Sequence, residues 1–416
     1  MPRLTHPPPA PLPAAAGPFA PSVPDEPRRW VLLVCACAVL IATYACFFNL
    51  TPLYPRVGAD LGLDPGALGA LVGIGGIVAL LAQIPAGSGG DAFGRRPFFV
   101  AGMLCLVLTL LLRWQAQQPL LLMLGQVAAG VALGCVAQNA FALVAVADTS
   151  AARRQGQAFG IVNASINIGQ VVGYLVAGTV GAAVGWHVLS LDMLVVPLLV
   201  LLLVARVPDL GRSPTPGAGA RPSPRGMLAS LGHPRRLALA ALAALTLASG
   251  SGAAYLMPFA VQTSNLGPLA AALVLVPYVL GSVICAPFSG VLAERFGMRR
   301  LVVTALVLGM LACGLLYLAG TSILMLALCN VLIGASVNTT LPLVAVQAVT
   351  MRTGGASIGA GTALAGLRAG QSLGPFLGPT IAGAALARLS LGPAWLALAV
   401  CLVLSLGLYL AASGRE

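Results

Sequence analysis

The sequence predicts an all-α membrane protein with twelve transmembrane helices in two pseudo-symmetric six-helix bundles. Hydrophobic residues make up 59% of the chain and charged residues only 8%, whereas a soluble domain carries about 25% charged residues. Apolar stretches of about 20 residues, the length that crosses a bilayer as a helix, recur along the whole chain. A sequence motif also repeats halfway along the chain, which indicates two halves of the same design.

The first half begins after a segment rich in Pro and Ala. Residues 1–29 predict a disordered cytoplasmic tail that ends at Arg28 and Arg29. The apolar run 30–48 is long enough to span the membrane and ends in no small-residue cleavage site, so we expect a retained helix and not a signal peptide. With it, the following runs form an N-terminal bundle over residues 30–207: 66–86, 98–113, 119–147, 157–184 and 188–206.

The second half follows a segment, 208–236, that contains six Pro and five Arg residues. Such a composition cannot bury a core and predicts a cytoplasmic linker. The C-terminal bundle is predicted over residues 237–412, and residues 413–416 form a cytoplasmic C-terminus. Its six apolar runs are 237–260, 268–291, 301–319, 322–349, 356–387 and 391–412.

The distribution of arginine predicts the orientation. All 22 basic residues are Arg. If the N-terminus is inside, 18 of them fall on the cytoplasmic side, Arg56, Arg113 and Arg388 fall on the outer side, and Arg368 falls within a span. The net charge of +12 therefore reflects topology, and we expect no nucleic-acid partner. Exclusive use of Arg suggests a GC-rich bacterial genome, so the predicted location is the inner membrane, with both termini cytoplasmic.

The repeated motif lies in the loop after the second span of each half. The first copy is GSGGDAFGRR, residues 87–96, and the second is GVLAERFGMRR, residues 290–300, with Asp91 and Glu294 separated by 203 positions. Such internal repeats are typical of transporters in which two bundles rock about a site near the middle of the membrane.

In each half, the loop after the second span contains a Gly, an acidic residue, a further Gly and two Arg. This pattern resembles the signature loop of the major facilitator superfamily, and the similarity to the family covers residues 30–410. The resemblance implies a latch that holds one conformation closed on the cytoplasmic side. Because Ser88, Gly89 and Gly90 replace the usual residues, we expect the first copy to close less tightly than the second. The implied latch residues are Gly87, Asp91, Gly94, Arg95, Arg96, Gly290, Glu294, Arg295, Gly297, Arg299 and Arg300.

The eleventh span carries the strongest binding candidate. Gly366, Gly370, Gly374 and Gly378 recur every four residues, and this small-residue stripe predicts a close helix pair at the seam between the bundles. Arg368 lies about halfway along the span, where a charge is costly unless it faces a cavity or a partner. We expect either a substrate-binding role or satisfaction by carbonyl groups at a kink. The other candidate binding residues are Tyr44, Phe48, Asn49, Gln138, Asn139, Asn167, Tyr255, Asn338 and Gln371.

The predicted function is secondary active transport of a small organic molecule by alternating access, as proton-coupled efflux. Asp192 is the candidate proton carrier, with an interfacial acid as the alternative. The family's efflux members often carry an Arg in the fourth span where this chain has Gln126. Uptake of an organic anion, uniport and a non-transporting sensor therefore remain alternatives. The three His, ten acidic residues and nine Cys show no catalytic or metal-ligand grouping, so we predict no enzyme activity, cofactor or metal, and we expect a monomer.

Overall fold

The computed structural model describes residues 26–147, 152–206, 233–319, 322–350 and 360–413. These residues form helices joined by short connections, and none of them lies in a strand. The all-α prediction is therefore confirmed for this part of the chain. Residues 1–25 of the predicted tail, most of the predicted linker and residues 414–416 lie outside the described residues.

Six long helices form the first half. They are α1 (Glu26–Phe48), α2 (Pro65–Phe93), α3 (Arg96–Trp114), α4 (Pro119–Ala147), α5 (Ala152–Val176) and α6, which has two parts (Trp186–Asp192 and Val195–Arg206). A π-helical turn, Ala177–Gly181, extends α5. The short helices Thr51–Leu53 and Tyr54–Asp60 connect α1 to α2. These six helices pack on one another and form the N-terminal bundle.

Six further helices form the second half. They are α7 (Pro234–Thr263), α8 (Pro268–Phe296), α9 (Met298–Ala319), α10 (Ile323–Thr350), α11 (Ala360–Arg388) and α12 (Leu391–Ser413). Across the described residues, eleven segments are long and apolar enough to cross a membrane. The exception is α11, which is long enough but contains Arg368 and Gln371 and is rich in Gly. It nevertheless packs between α7 and α2.

Two predicted boundaries were wrong by a few residues. Helix α1 begins at Glu26, so residues 26–29, predicted as part of the tail, are helical. Helix α7 begins at Pro234, which removes residues 234–236 from the predicted linker. Proline is well tolerated in the first turn of a helix, where its missing N–H has no intrahelical acceptor, so the Pro content of the linker concealed this start.

Glycines of α5 bring it into backbone contact with α1. A Cβ placed on Gly169 would lie 2.6 Å from the carbonyl oxygen of Ile41, and one on Gly173 would lie 2.6 Å from that of Ala45. No side chain fits at either position. Close approach of this kind is the usual way that helices associate in lipid, where the hydrophobic effect does not drive their contact.

The glycine stripe of α11 makes the equivalent contact in the second half. Gly370 lies against the carbonyl oxygen of Ala240 in α7, and Gly378 lies against that of Ala248. The pair α7 and α11 thus repeats the pair α1 and α5. The prediction that this stripe lies at the seam between the bundles was wrong, because the stripe faces α7 of its own bundle and a different face of α11 meets the N-terminal bundle.

A glycine with positive φ ends the second helix of each half. Gly94 follows α2 with φ 86° and ψ 163°, and Gly297 follows α8 with φ 85° and ψ 135°. L side chains rarely adopt this region, and holding one there costs about 1–3 kcal/mol. The repeated motif therefore contains Gly at this point because the chain turns there from one helix into the next.

We expect Gly297→Ala to lower the free energy of unfolding by about 1–3 kcal/mol, because alanine must adopt the same positive φ. Thermal unfolding of the detergent-purified protein measures the effect. Gly290→Ala is the matched control, since Gly290 lies in the body of the same helix and a Cβ placed on it would meet open space. An equal or smaller loss at Gly297 than at Gly290 would contradict this explanation of the motif.

Candidate functional site

Helices α2 and α11 join the two bundles through backbone contacts. A Cβ on Gly73 would lie 2.7 Å from the carbonyl oxygen of Phe376, and one on Gly76 would lie 2.8 Å from the Phe376 nitrogen. Gly69 lies against the carbonyl oxygen of Pro379. We call this glycine-lined contact between α2 and α11 the seam. At these three positions α2 has no side chain, so the two backbones lie in direct contact.

Tyrosines extend the seam to the end of α2. The Tyr255 hydroxyl of α7 donates a 2.6 Å hydrogen bond to the carbonyl oxygen of Pro65, and the Tyr255 ring lies 5.5 Å from that of Tyr54. Tyr255 is buried. The structure thus places this predicted binding residue in a contact between the bundles and not on a surface open to a ligand.

A second contact between the bundles forms where α5 meets α8. Gly178, in the π-helical turn, packs on Ala272 and on the backbone of Leu269, which both lie in the first turns of α8. Because α2 and α8 both begin at this side of the molecule, the two contacts close the same side. We call it the sealed end and define it by Pro65, Tyr255 and Gly178.

Arg368 lies on α11 beyond the seam. Its side chain is exposed, yet its guanidinium carbon lies 5.8 Å from the centre of the Phe141 ring of α4, in the opposite bundle. The Tyr44 hydroxyl of α1 is within electrostatic range of the same group. The exposed surface of Arg368 therefore faces the space between the bundles and not the lipid.

A chain of polar side chains crosses between the bundles near Arg368. Gln83 of α2 accepts hydrogen bonds through Oε1 from the Gln138 amide at 3.2 Å and from the Ser372 hydroxyl at 3.3 Å. Ser372 is four residues after Arg368, so both lie on the same face of α11. The side chains around this space, which we call the central cleft, are those of Tyr44, Gln83, Gln138, Phe141, Arg368 and Ser372.

Three more predicted binding residues are half-buried. Asn167 of α5 and Gln371 of α11 are half-buried. Phe48 is half-buried as well, and its ring stacks on Tyr44 at 6.1 Å and meets Tyr174 edge-on at 5.7 Å. The aromatic end of α1 therefore forms a wall in the N-terminal bundle.

Asn49 belongs to a buried polar cluster instead of the cleft. Its Oδ1 accepts a 2.8 Å hydrogen bond from Arg113 Nη1, which also donates to the carbonyl oxygen of Cys46 at 2.8 Å. Both Asn49 and Arg113 have 0% exposure. Cys46 is in the last turn of α1, where carbonyl groups lack helical partners, and a cation there is favourable.

The arginine distribution places Arg113 on the outer side of the membrane and does not predict that it is buried. The residue lies in the last turn of α3 and is fully buried. Among the described residues, its Nε and Nη2 atoms and the Asn49 Nδ2 atom have no hydrogen-bond partner. A signal for this pair is present in the sequence. Asn49 follows the first span and Arg113 lies at the end of the third, so both are on the same side of the membrane.

Two other predicted binding amides have partners within their own bundles. The buried Asn139 donates to the carbonyl oxygens of Cys135 at 2.8 Å and Ala86 at 3.1 Å, and it fastens α4 to α2. Asn338 donates to the Gly334 carbonyl at 2.9 Å within α10. Both contacts are typical of amides that serve helix packing, so the cleft retains Gln138 alone of the predicted α4 amides.

The predicted proton carrier, Asp192, lies on the outside of the N-terminal bundle. It ends the first part of α6, its side chain is exposed, and α6 packs on α1 and α3 of its own bundle. The residue is thus remote from the central cleft. This placement fits the interfacial alternative for Asp192.

The two copies of the predicted latch differ in this structure. In the first copy Arg95 is buried, and Arg96 donates a 2.6 Å hydrogen bond to the Ala205 carbonyl at the end of α6. Asp91 lies in the last turn of α2, and its side chain is outside the described residues. Around Gly87 a Cβ would meet open space.

All four charged residues of the second copy are exposed: Glu294, Arg295, Arg299 and Arg300. Arg295 contacts only the neighbouring Phe296 ring, at 5.5 Å, among the contacts described. Arg96 of the first copy is thus bonded to α6, whereas the charged residues of the second copy are exposed. The expectation that the first copy closes less tightly stays a prediction.

Two six-helix bundles that meet at the sealed end, with the charged side chain of Arg368 between them, are typical of a membrane transporter. A family model described as Major Facilitator Superfamily matches residues 36–360 and, in a second match, residues 252–415. The chain therefore belongs to this superfamily, whose members are transporters and not enzymes.

Relatives and solved structures agree with this assignment. The chain is 31% identical over 175 residues to the puromycin resistance protein pur8 of Streptomyces alboniger, a match that covers 39% of this chain and about a third (32%) of that relative. The structure is similar to the nucleoside transporter NupG (TM-score 0.76, 14% identity, 92% of this chain and 100% of that chain). It is also similar to a bacterial homologue of the human lysosomal transporter Spinster (TM-score 0.75, 15% identity, 94% and 98%). At these identities the two structures establish the fold alone.

We expect Asn49→Asp to stabilise the protein, because the hydrogen bond from Arg113 Nη1 would then end on a charged acceptor instead of a neutral one. The new carboxylate would replace the unpartnered Nδ2 and give the buried Arg113 an opposite charge at the same distance. Thermal unfolding measures the gain, and the same substitution in an Arg113→Gln background is the control. A gain that persists without Arg113 would contradict the pairing.

Proposed function

We propose that the chain exports small organic molecules across the bacterial inner membrane by alternating access. The observation that carries this proposal is the backbone contact between the bundles at the sealed end, with Arg368 between the bundles beyond it and its side chain exposed. With cytoplasmic termini, as the arginine distribution predicts, the sealed end faces outward. The cleft then takes up its cargo from the cytoplasm.

Export is supported by the relative in Streptomyces alboniger, whose name refers to puromycin resistance. Resistance to a compound in the cell is the expected consequence of moving it out. The relative matches only over part of its length, so the resemblance supports the direction of transport and does not identify the cargo.

Proton coupling, predicted from the sequence, has less support. The described carboxylates lie at helix ends or on outer surfaces, away from the central cleft. They are Asp60, Asp64, Asp192 and Glu294. Coupling to protons stays a prediction, and efflux that follows an imposed pH step is the result that would support it.

We expect Gly73→Leu to reduce efflux from proteoliposomes at least about tenfold, because its side chain would occupy the position of the Phe376 backbone and hold the seam apart. Three radiolabelled test compounds are loaded into the vesicles: puromycin, the aromatic anion naphthoate and its uncharged amide, naphthamide. Gly407→Leu is the control, since Gly407 of α12 is exposed and has open space for a side chain.

Wild-type protein should release at least one of these compounds faster than protein-free vesicles. A compound that raises the unfolding temperature but does not move would favour the sensor alternative and contradict transport. Wild-type rates in Gly73→Leu would show that closure of the seam is not needed.

We propose further that Asp91 and its neighbours act as the cytoplasmic latch. Asp91→Asn should lower the efflux rate about tenfold, as expected for the loss of one charge-assisted bond, while chromatographic behaviour and unfolding temperature stay near those of the wild type. Glu294→Gln should have a smaller effect, because the second copy is exposed. A wild-type rate in Asp91→Asn would remove the latch assignment.

A further inference from the structure

The central cleft presents one fixed positive charge. Arginine does not deprotonate in proteins, and the side chain of Arg368 is exposed between the bundles. Within the described part of the chain, no hydrogen bond engages its N–H groups, and its neighbours are the Phe141 ring and the Tyr44 hydroxyl. A charge near the middle of a membrane is costly unless a partner or a wet cavity compensates it.

The geometry around Arg368 favours a flat, singly charged anion. The guanidinium carbon lies 5.8 Å from the centre of the Phe141 ring, and no described residue is hydrogen-bonded to the N–H groups, so these groups are available for a ligand. They match the two oxygens of a carboxylate, which arginine binds bidentately. Lysine would supply charge without this fork.

The rest of the cleft suits a ligand with an apolar body, because it has an aromatic wall and a few hydrogen-bonding side chains. The rings of Tyr44 and Phe48 form one wall, and aromatic walls with a few polar groups are typical of small-molecule sites. On the other side, Ser372 and Gln138 both donate to Gln83, one helical turn from Arg368. The site thus lies immediately inside the seam, at the level where the bundles meet.

We propose that the cargo is an organic carboxylate with an aromatic or otherwise apolar body, bound through Arg368, and that the membrane potential drives its export. This inference rests on the export function proposed above. An inside-negative potential of about 100 mV favours outward movement of a monoanion by about 2.3 kcal/mol, which is about a 50-fold concentration ratio. Export of such a cargo therefore needs no coupled ion and no carboxylate in the cleft.

The first test measures binding with a matched pair of probes, naphthoate and its uncharged amide, naphthamide. Thermal shift of the purified full-length protein should show at least about tenfold tighter binding of the carboxylate, the contribution of one charge-assisted contact. Arg368→Gln should abolish this preference. Arg388→Gln should keep it, because Arg388 lies exposed in the last turn of the same helix, at the sealed end.

Arg368→Lys is a second variant, which keeps the test conclusive if Arg368→Gln does not fold. It keeps the charge and should keep part of the preference, whereas the Gln variant loses it entirely. Equal binding of the two probes by the wild type, or a preference for naphthoate that survives in Arg368→Gln, would overturn the inference.

The second test measures efflux from proteoliposomes under a potassium diffusion potential set with valinomycin. An inside-negative potential at equal pH should accelerate naphthoate efflux and leave naphthamide efflux unchanged, and a pH gradient at zero potential should change neither. Naphthoate efflux that follows the pH gradient and ignores the potential would overturn the inference.

The two proposals fail in different ways. If naphthoate binds through Arg368 but does not move under any gradient, the export function is wrong while the anion site stands. If naphthoate and naphthamide move at equal rates and with equal response to the potential, export stands and the anion inference is wrong.

Discussion

Where α2 crosses α11, the two backbones touch because Gly69, Gly73 and Gly76 place no side chain between them. In lipid, helices gain little from hiding apolar surface, so close van der Waals contact and hydrogen bonds hold them together. Such contact is lost within a fraction of an ångström of separation. A small separation of α2 from α11 would therefore forfeit most of this contact, which favours a fully closed seam over a partly opened one.

Helix α11 couples this closure to the cleft. One of its faces, with Gly370 and Gly378, is fixed to α7, and another, with Phe376 and Pro379, meets α2. Arg368 lies on the same helix, less than three turns before Phe376. Any rocking that separates α2 from α11 must therefore also change the distance between Arg368 and the rings of the N-terminal bundle. In the proposed function, cargo that contacted Arg368 and the rings of the N-terminal bundle together would favour one arrangement of the bundles over the other.

Sequence patterns predicted the helices and their repetition, because spans of apolar residues and a 203-residue repeat depend only on the chain itself. They did not predict which neighbour each face of α11 meets. The glycine stripe was assigned to the seam, and the structure places it on α7, since periodicity shows that a face is small but not which helix fills it. For the same reason Asn49, Asn139 and Tyr255 were grouped with Arg368 as binding candidates. A polar residue in a span is equally suited to packing and to binding until its partner is known.

The two arginines inside the apolar body show what decides between these roles. Arg113 is fully buried and donates to the carbonyl of Cys46 and to Asn49, both in or directly after α1, so its partners move with it as one rigid bundle. Arg368 faces an aromatic ring of the opposite bundle, so its surroundings change whenever the bundles move. A charge whose partners are fixed can stabilise one bundle only. A charge whose surroundings differ between the two states makes the equilibrium between those states depend on what is bound beside it, which is the physical requirement for a transport site.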